Sequence, residues 1–171
     1  MNRTLDVITS SLVTGLTLGA GFRATLPARQ PVKLLELYEF EGCPFCRKVR
    51  EALSAFDLDA KIHPCPRGGA RFRPIVRERG GKEQFPFLVD PNTNRQMYES
   101  DEIIRYLAET YGDGRIPPSL RLGPLTTIRA GLGSMARPLG RVAKASRAPE
   151  KDLELYSFEA SPFCRIVREA L

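Results

Sequence analysis

Leu35-Glu36-Leu37-Tyr38-Glu39-Phe40 runs through Glu41 and Gly42 into Cys43-Pro44-Phe45-Cys46, and Arg47-Lys48-Val49-Arg50-Glu51-Ala52-Leu53 follows at once. Leu34 to Phe40 is a short, nearly continuous apolar run, the signature of a strand buried on both faces, and Gly42 ends it. Val49, Ala52, Leu53 and Phe56 recur at i, i+3, i+4 and i+7, which predicts a helix with one buried stripe. Pro44 fits the first helical turn, where its missing N–H is no loss. A Cys-x-x-Cys thus sits between a strand and a helix.

Working outward, Ala60–His63 reads as a second strand ending at Pro64, and Phe72–Arg79 as a helix closed by Gly80-Gly81. Phe85–Val89, the turn Asp90-Pro91-Asn92-Thr93-Asn94 and Arg95–Tyr98 read as a hairpin. Ser100 is expected to cap a helix whose Ile103, Ile104, Leu107, Ala108 and Tyr111 share a face, stopped by Gly112. The order is βαβαββα: an α/β domain with a four-stranded mixed sheet and helices on both faces, complete over residues 34–112.

The opening stretch returns 118 residues later, as Leu153-Glu154-Leu155-Tyr156-Ser157-Phe158-Glu159-Ala160-Ser161-Pro162-Phe163-Cys164-Arg165-Ile166-Val167-Arg168-Glu169-Ala170-Leu171. Fifteen of the 19 positions match, and the differences are Glu39/Ser157, Gly42/Ala160, Cys43/Ser161 and Lys48/Ile166. Gly15, Arg23, Arg29 and Pro31 recur at the same offset as Gly133, Arg141, Arg147 and Pro149. Residues 1–33 therefore read as a repeat lead-in, with a transit peptide as the rival. Residues 153–171 read as the start of a truncated second copy, from a longer tandem protein. One strand and one helix cannot bury a core of their own.

Between the copies, residues 113–152 read as a solvated, Pro/Gly-rich basic linker. From Arg115 to Ala148 there are seven basic residues and no acidic one, within a chain of 171 residues and net charge +6. No aromatic residue is interleaved with those arginines to stack on bases, which argues against nucleic acid as a partner. No run approaches the ~20 apolar residues of a membrane span.

Four cysteines, two of them as Cys-x-x-Cys, point to redox or metal chemistry in a reducing compartment rather than a secreted framework. A thiol attacks as thiolate, and the helix N-terminus at Cys43, with Arg47 and Lys48 in the first turn, favours negative charge there. That makes Cys43 the nucleophile and Cys46 the resolving thiol. Zinc on Cys43, Cys46, His63 and Cys65 is disfavoured by the two-residue spacing along a strand and by Pro44, so no metal is expected. Gln84-Phe85-Pro86-Phe87 places a proline at the head of an interior strand, where a cis Phe85–Pro86 bond would turn the Phe85 backbone toward a ligand. Glu99-Ser100 offers an anion beside a helix start, which suits an ammonium next to a carboxylate.

Together, Cys-Pro-Phe-Cys after a strand, Phe-Pro-Phe-Leu-Val-Asp at the next, and Glu-Ser at the last helix resemble the glutaredoxin-like N-terminal domain of glutathione transferases. The resemblance covers Leu34 to Gly112. Pro64-Cys65-Pro66-Arg67-Gly68-Gly69 and the duplicated strand look more narrowly like a tandem family of such domains. The resemblance implies a thioredoxin-like fold and glutathione as cofactor, with Glu99 and Ser100 holding the γ-glutamyl end, Pro86 as the cis-proline after Phe85, and Cys43 facing the sulfur. It implies thiol–disulfide exchange with thiol or disulfide substrates in the cytoplasm, or in a plastid if the lead-in is a transit peptide. The alternatives are a non-catalytic binding module, a glutathione-ligated iron–sulfur carrier, or a transferase if the rest of the protein is helical.

Overall fold

The computed structural model describes residues 3–24 and 28–171; the part of the lead-in at Thr25–Pro27 lies outside the described residues. Helix α1 (Arg3–Leu16) precedes strand β1 (Leu35–Glu39), helix α2 (Pro44–Phe56), strand β2 (Ala60–Pro64) and helix α3 (Arg73–Gly80). Strands β3 (Phe87–Asp90) and β4 (Arg95–Met97) form the hairpin, followed by helix α4 (Ser100–Thr110). A 3₁₀ turn at Pro118–Leu120, helix α5 (Pro124–Ala136) and helix α6 (Pro162–Ala170) complete the order.

The sheet runs β2-β1-β3-β4, with β1 parallel to β2 and antiparallel to β3. Side chains alternate across a strand, so Leu35, Leu37 and Leu88 face one side, with Val49, Leu53 and Phe56 of α2 and Ile103, Ile104 and Leu107 of α4. Tyr38, Phe87 and Val89 face the other side, with Val76 of α3. This is the thioredoxin-like fold, with α2 and α4 on one face and α3 on the other. Asp90, which closes β3, is buried and accepts from the hydroxyls of Tyr106 and Tyr111, each at 2.5 Å. The motif's last carboxylate therefore anchors α4 to the hairpin.

The segment expected to be a solvated linker is not one: α5 occupies much of it and packs on α1 and α2. Pro124 stands in its first turn, where proline is tolerated. Gly133 lies where α5 crosses α1, and a Cβ there would come 2.8 Å from the Thr17 methyl. Two of the segment's basic residues pair with acids from elsewhere in the chain: Arg129 with Glu51 at 2.5 Å, and Arg137 with Glu169 at 2.7 Å and Asp6 at 3.0 Å. The lead-in is likewise a packed helix, α1, against α5 and α6. Both helices keep apolar outer faces, with Leu5, Ile8, Leu12 and Leu16 on α1 and Leu125, Ile128, Leu132 and Met135 on α5 exposed.

The second copy folds in part. Its helix α6 docks, while 153–157, the counterpart of β1, is no strand and leaves Leu153 and Tyr156 exposed. Among the described residues it pairs with no strand, and the one sheet is β2-β1-β3-β4.

Candidate functional site

Cys43 is the N-cap of α2, with extended backbone angles (φ −87°, ψ 122°), and its sulfur accepts the Cys46 N–H at 3.2 Å. That bond satisfies one of the donors a helix N-terminus leaves unpaired. The Cys46 side chain hydrogen-bonds to the same sulfur, which, with the backbone bond, outweighs burial and lowers the Cys43 thiol below its ordinary range. Burial, together with that same side-chain bond, pushes Cys46 well above it. Burial also pushes Cys65 up to about 12. The two paired thiols are thus driven apart, Cys43 toward the thiolate and Cys46 toward the thiol.

The expected supporting cations are corrected. Arg47 is buried and engaged by Glu159 at 2.8 Å, and Lys48 is engaged by Asp101 at the start of α4. Arg50 is the cation that lowers Cys43, against the opposing charge of Glu39, to which Arg50 is also hydrogen-bonded.

The other motif residues approach from two further elements. The Phe85–Pro86 bond is cis, and Phe85 lies beside the turn that carries Cys43, its ring 6.0 Å from that of Phe40. Arg73 covers the other side of Phe85, its guanidinium 4.8 Å from the ring centre. Glu99 is exposed, has φ 64°, and accepts from Gln84 Nε2 at 2.5 Å. Ser100 is buried, and it does not cap α4 as expected. It is the first helical residue, Glu99 holds the cap position, and no side-chain cap bond forms there. The N–H groups of the first turn therefore remain as donors. The Lys48–Asp101 pair ties this helix start to α2.

His63 and Cys65 are placed elsewhere. His63 stacks on Tyr38 with ring centres 4.4 Å apart, with Glu36 at 3.4 Å, and Cys65 packs beneath α3, its thiol donating to the His63 carbonyl. Among the described residues no group of His, Cys, Asp and Glu is arranged to hold a metal.

A buried charge cluster joins the two copies, and nothing in the sequence reading anticipated it. Glu159 contacts Arg47 and Arg50, each at 2.8 Å, and Glu41 contacts Arg168 at 2.9 Å and Arg165 at 4.0 Å. Positions 41, 47 and 50 correspond to 159, 165 and 168 at the offset of 118, so each contact has its exchanged counterpart and the contacts are reciprocal. The helices follow the same rule, since α1 packs on α6 as α5 packs on α2. The two copies are therefore related by an approximate internal two-fold. Its signal was present in the retained Glu41/Glu159, Arg47/Arg165 and Arg50/Arg168.

Residues 37–116 match the family model described as glutathione S-transferase, N-terminal domain. No curated protein and no solved structure shows significant similarity to the chain. Over residues 37–116 the chain is thus similar in sequence to glutathione S-transferase N-terminal domains and thioredoxin-like in fold.

Proposed function

We propose that the first copy is a glutathione-dependent thiol–disulfide oxidoreductase working through Cys43 and Cys46. The observation that carries this is the division between the two thiols: Cys43 is made acidic at a helix cap while its partner, in hydrogen-bond contact, is not. The Cys43 thiolate attacks one sulfur of a substrate disulfide, forming a Cys43 mixed disulfide and releasing the other half as thiolate. Cys46, giving up its proton to that leaving thiolate or to solvent, attacks the Cys43 sulfur. The second half of the substrate leaves and a Cys43–Cys46 disulfide remains. Two glutathione thiols reduce it in turn, and glutathione disulfide is the oxidised product.

The residues present fit that reductant. Exposed Glu99 suits the γ-glutamyl ammonium, and the first-turn N–H groups at Ser100 suit its carboxylate. The Phe85 main chain, beside the Cys43 turn, is the edge an extended peptide would pair with. The cysteinyl sulfur would then lie toward Cys43.

The test is turnover of a glutathionyl mixed disulfide with glutathione as reductant, alongside calorimetry of glutathione binding. Turnover that disappears in Cys43→Ser supports the proposal. Binding with no turnover in the wild type would make the site a non-catalytic module instead.

A further inference from the structure

Three of the four differences between the copies fall between the last residue of β1 and the cap of α2: Glu39/Ser157, Gly42/Ala160 and Cys43/Ser161. The structure gives Gly42 a reason. Arg141, from the segment after α5, lies directly over it, and a Cβ on Gly42 would come 2.2 Å from Arg141 Cγ and 2.8 Å from its Nε. The Nε–H donates to the Gly42 carbonyl at 3.3 Å and an Nη2–H to the Ser134 carbonyl at 2.9 Å. The backbone is pinned as well, with Arg67 N–H donating to the Arg141 carbonyl at 2.7 Å and Ala143 N–H to the Arg67 carbonyl at 2.9 Å. In the second copy Ala160 carries a methyl, and its carbonyl accepts from the Thr14 hydroxyl instead, at 2.7 Å. An arginine stands over the copy that has the nucleophile, and a neutral threonine serves the copy that has lost it.

Arg47, Arg50, Arg129, Arg137, Arg165 and Arg168 all lie within 4.0 Å of carboxylates. Among the described residues Arg141 has no such ion pair, only the two neutral carbonyls. A guanidinium has five N–H donors in a planar fork, so two carbonyls leave it with unspent donors and a full charge. It is held over Gly42, the residue before Cys43, at little entropic cost, because its backbone and two of its donors are already fixed.

We propose that Arg141 is a specificity-determining residue of the Cys43 site, which holds a carboxylate of the incoming disulfide while Cys43 attacks it. The inference rests on Cys43 being the exchange nucleophile. It adds a residue from outside the thioredoxin-like domain and predicts that anionic disulfides are preferred over neutral ones.

The experiment is single-turnover oxidation of the reduced full chain by glutathione disulfide and by neutral 2-hydroxyethyl disulfide. Arg141→Gln should slow the anionic reaction about tenfold or more, chiefly through apparent affinity, and leave the neutral one within about twofold. Gly42→Ala, which displaces the arginine without deleting it, should move in the same direction. Added salt should erode the wild-type preference. Equal losses on both disulfides in folded variants would make Arg141 a structural strap, and no loss on either would remove its role; both overturn the proposal. A wild-type chain inert to both disulfides would overturn the exchange chemistry beneath it.

Discussion

The two copies of the nineteen-residue segment start their helices alike and differ in what that start can do. In each, the residue before the proline is the helix cap, and Cys43 Sγ and Ser161 Oγ accept the N–H three residues on at the same 3.2 Å. The charged residues at the interface are retained in both, because each copy's glutamate serves the other copy's arginines. What departs is the chemistry above the cap. The first copy keeps thiol, Glu39 and the glycine that admits Arg141, and the second has hydroxyl, Ser157 and Ala160. The second segment therefore packs against the first through reciprocal contacts, while the Cys-x-x-Cys belongs to the first alone.

The sharpest way to break that comparison is Cys43→Ser, which gives the first copy the second copy's cap residue. The helix should form as before, since serine caps well, and disulfide exchange should fall to background in a coupled assay. A folded variant that keeps its activity would mean the reactive thiol lies elsewhere, with half-buried Cys164 the first place to look.

Glu159→Gln tests the interface. It strips three arginines of one buried carboxylate, and breaking one side of such a pair costs about 3–5 kcal/mol. Thermal unfolding should show a lowered Tm, and Glu41→Gln should cost a similar amount if the two-fold is sound. The arginines around Glu159, Arg50 foremost, overcome its burial and hold its carboxyl below the usual range. Its stabilisation is thus fully present above the unfolded value of about 4.3 and is lost as pH falls toward the folded one. The deficit of Glu159→Gln should accordingly shrink below about pH 4 in denaturant titrations.

Glutathione recognition at Glu99 and Ser100 is the next point to test. The Glu99→Ala, Ser100→Ala double variant should weaken glutathione about tenfold by calorimetry. It should cost less stability than a lost helix cap, because no cap bond is there to lose. The smallest effect is expected of Ser161→Cys in a Cys43→Ser background. It restores the Cys-Pro-Phe-Cys sequence in a place without a paired strand, and no glutathione-dependent turnover should appear.

The sheet and its three helices were legible because each is written in local pattern: a nearly continuous apolar run over Leu34–Phe40, and spacings of three and four in α2 and α4. What escaped was non-local. Pro124, Gly131 and Gly133 read as breakers, but proline suits a first helical turn and Gly133 permits a close helix crossing. Arg47 and Lys48 look like cations for Cys43 until partners 112 and 53 residues away take them up. Ser100 reads as a cap because serine usually is one, yet the positive φ of Glu99 moves the helix start by a residue. The position of Arg141 could be seen only once the segment after α5 was folded over Gly42.

The central claim is that Cys43 alone among the four cysteines carries the exchange chemistry, and it can be trapped. A Cys46→Ser chain, lacking the resolving thiol, is mixed briefly with glutathione disulfide near neutral pH, quenched with acid and mapped by mass spectrometry. The account predicts a single glutathionyl group on Cys43, formed faster than on a free thiol, with Cys65 unmodified and Cys164 slow. Glutathionylation that favours Cys164, or that reaches Cys43 no faster than a free cysteine, would contradict it.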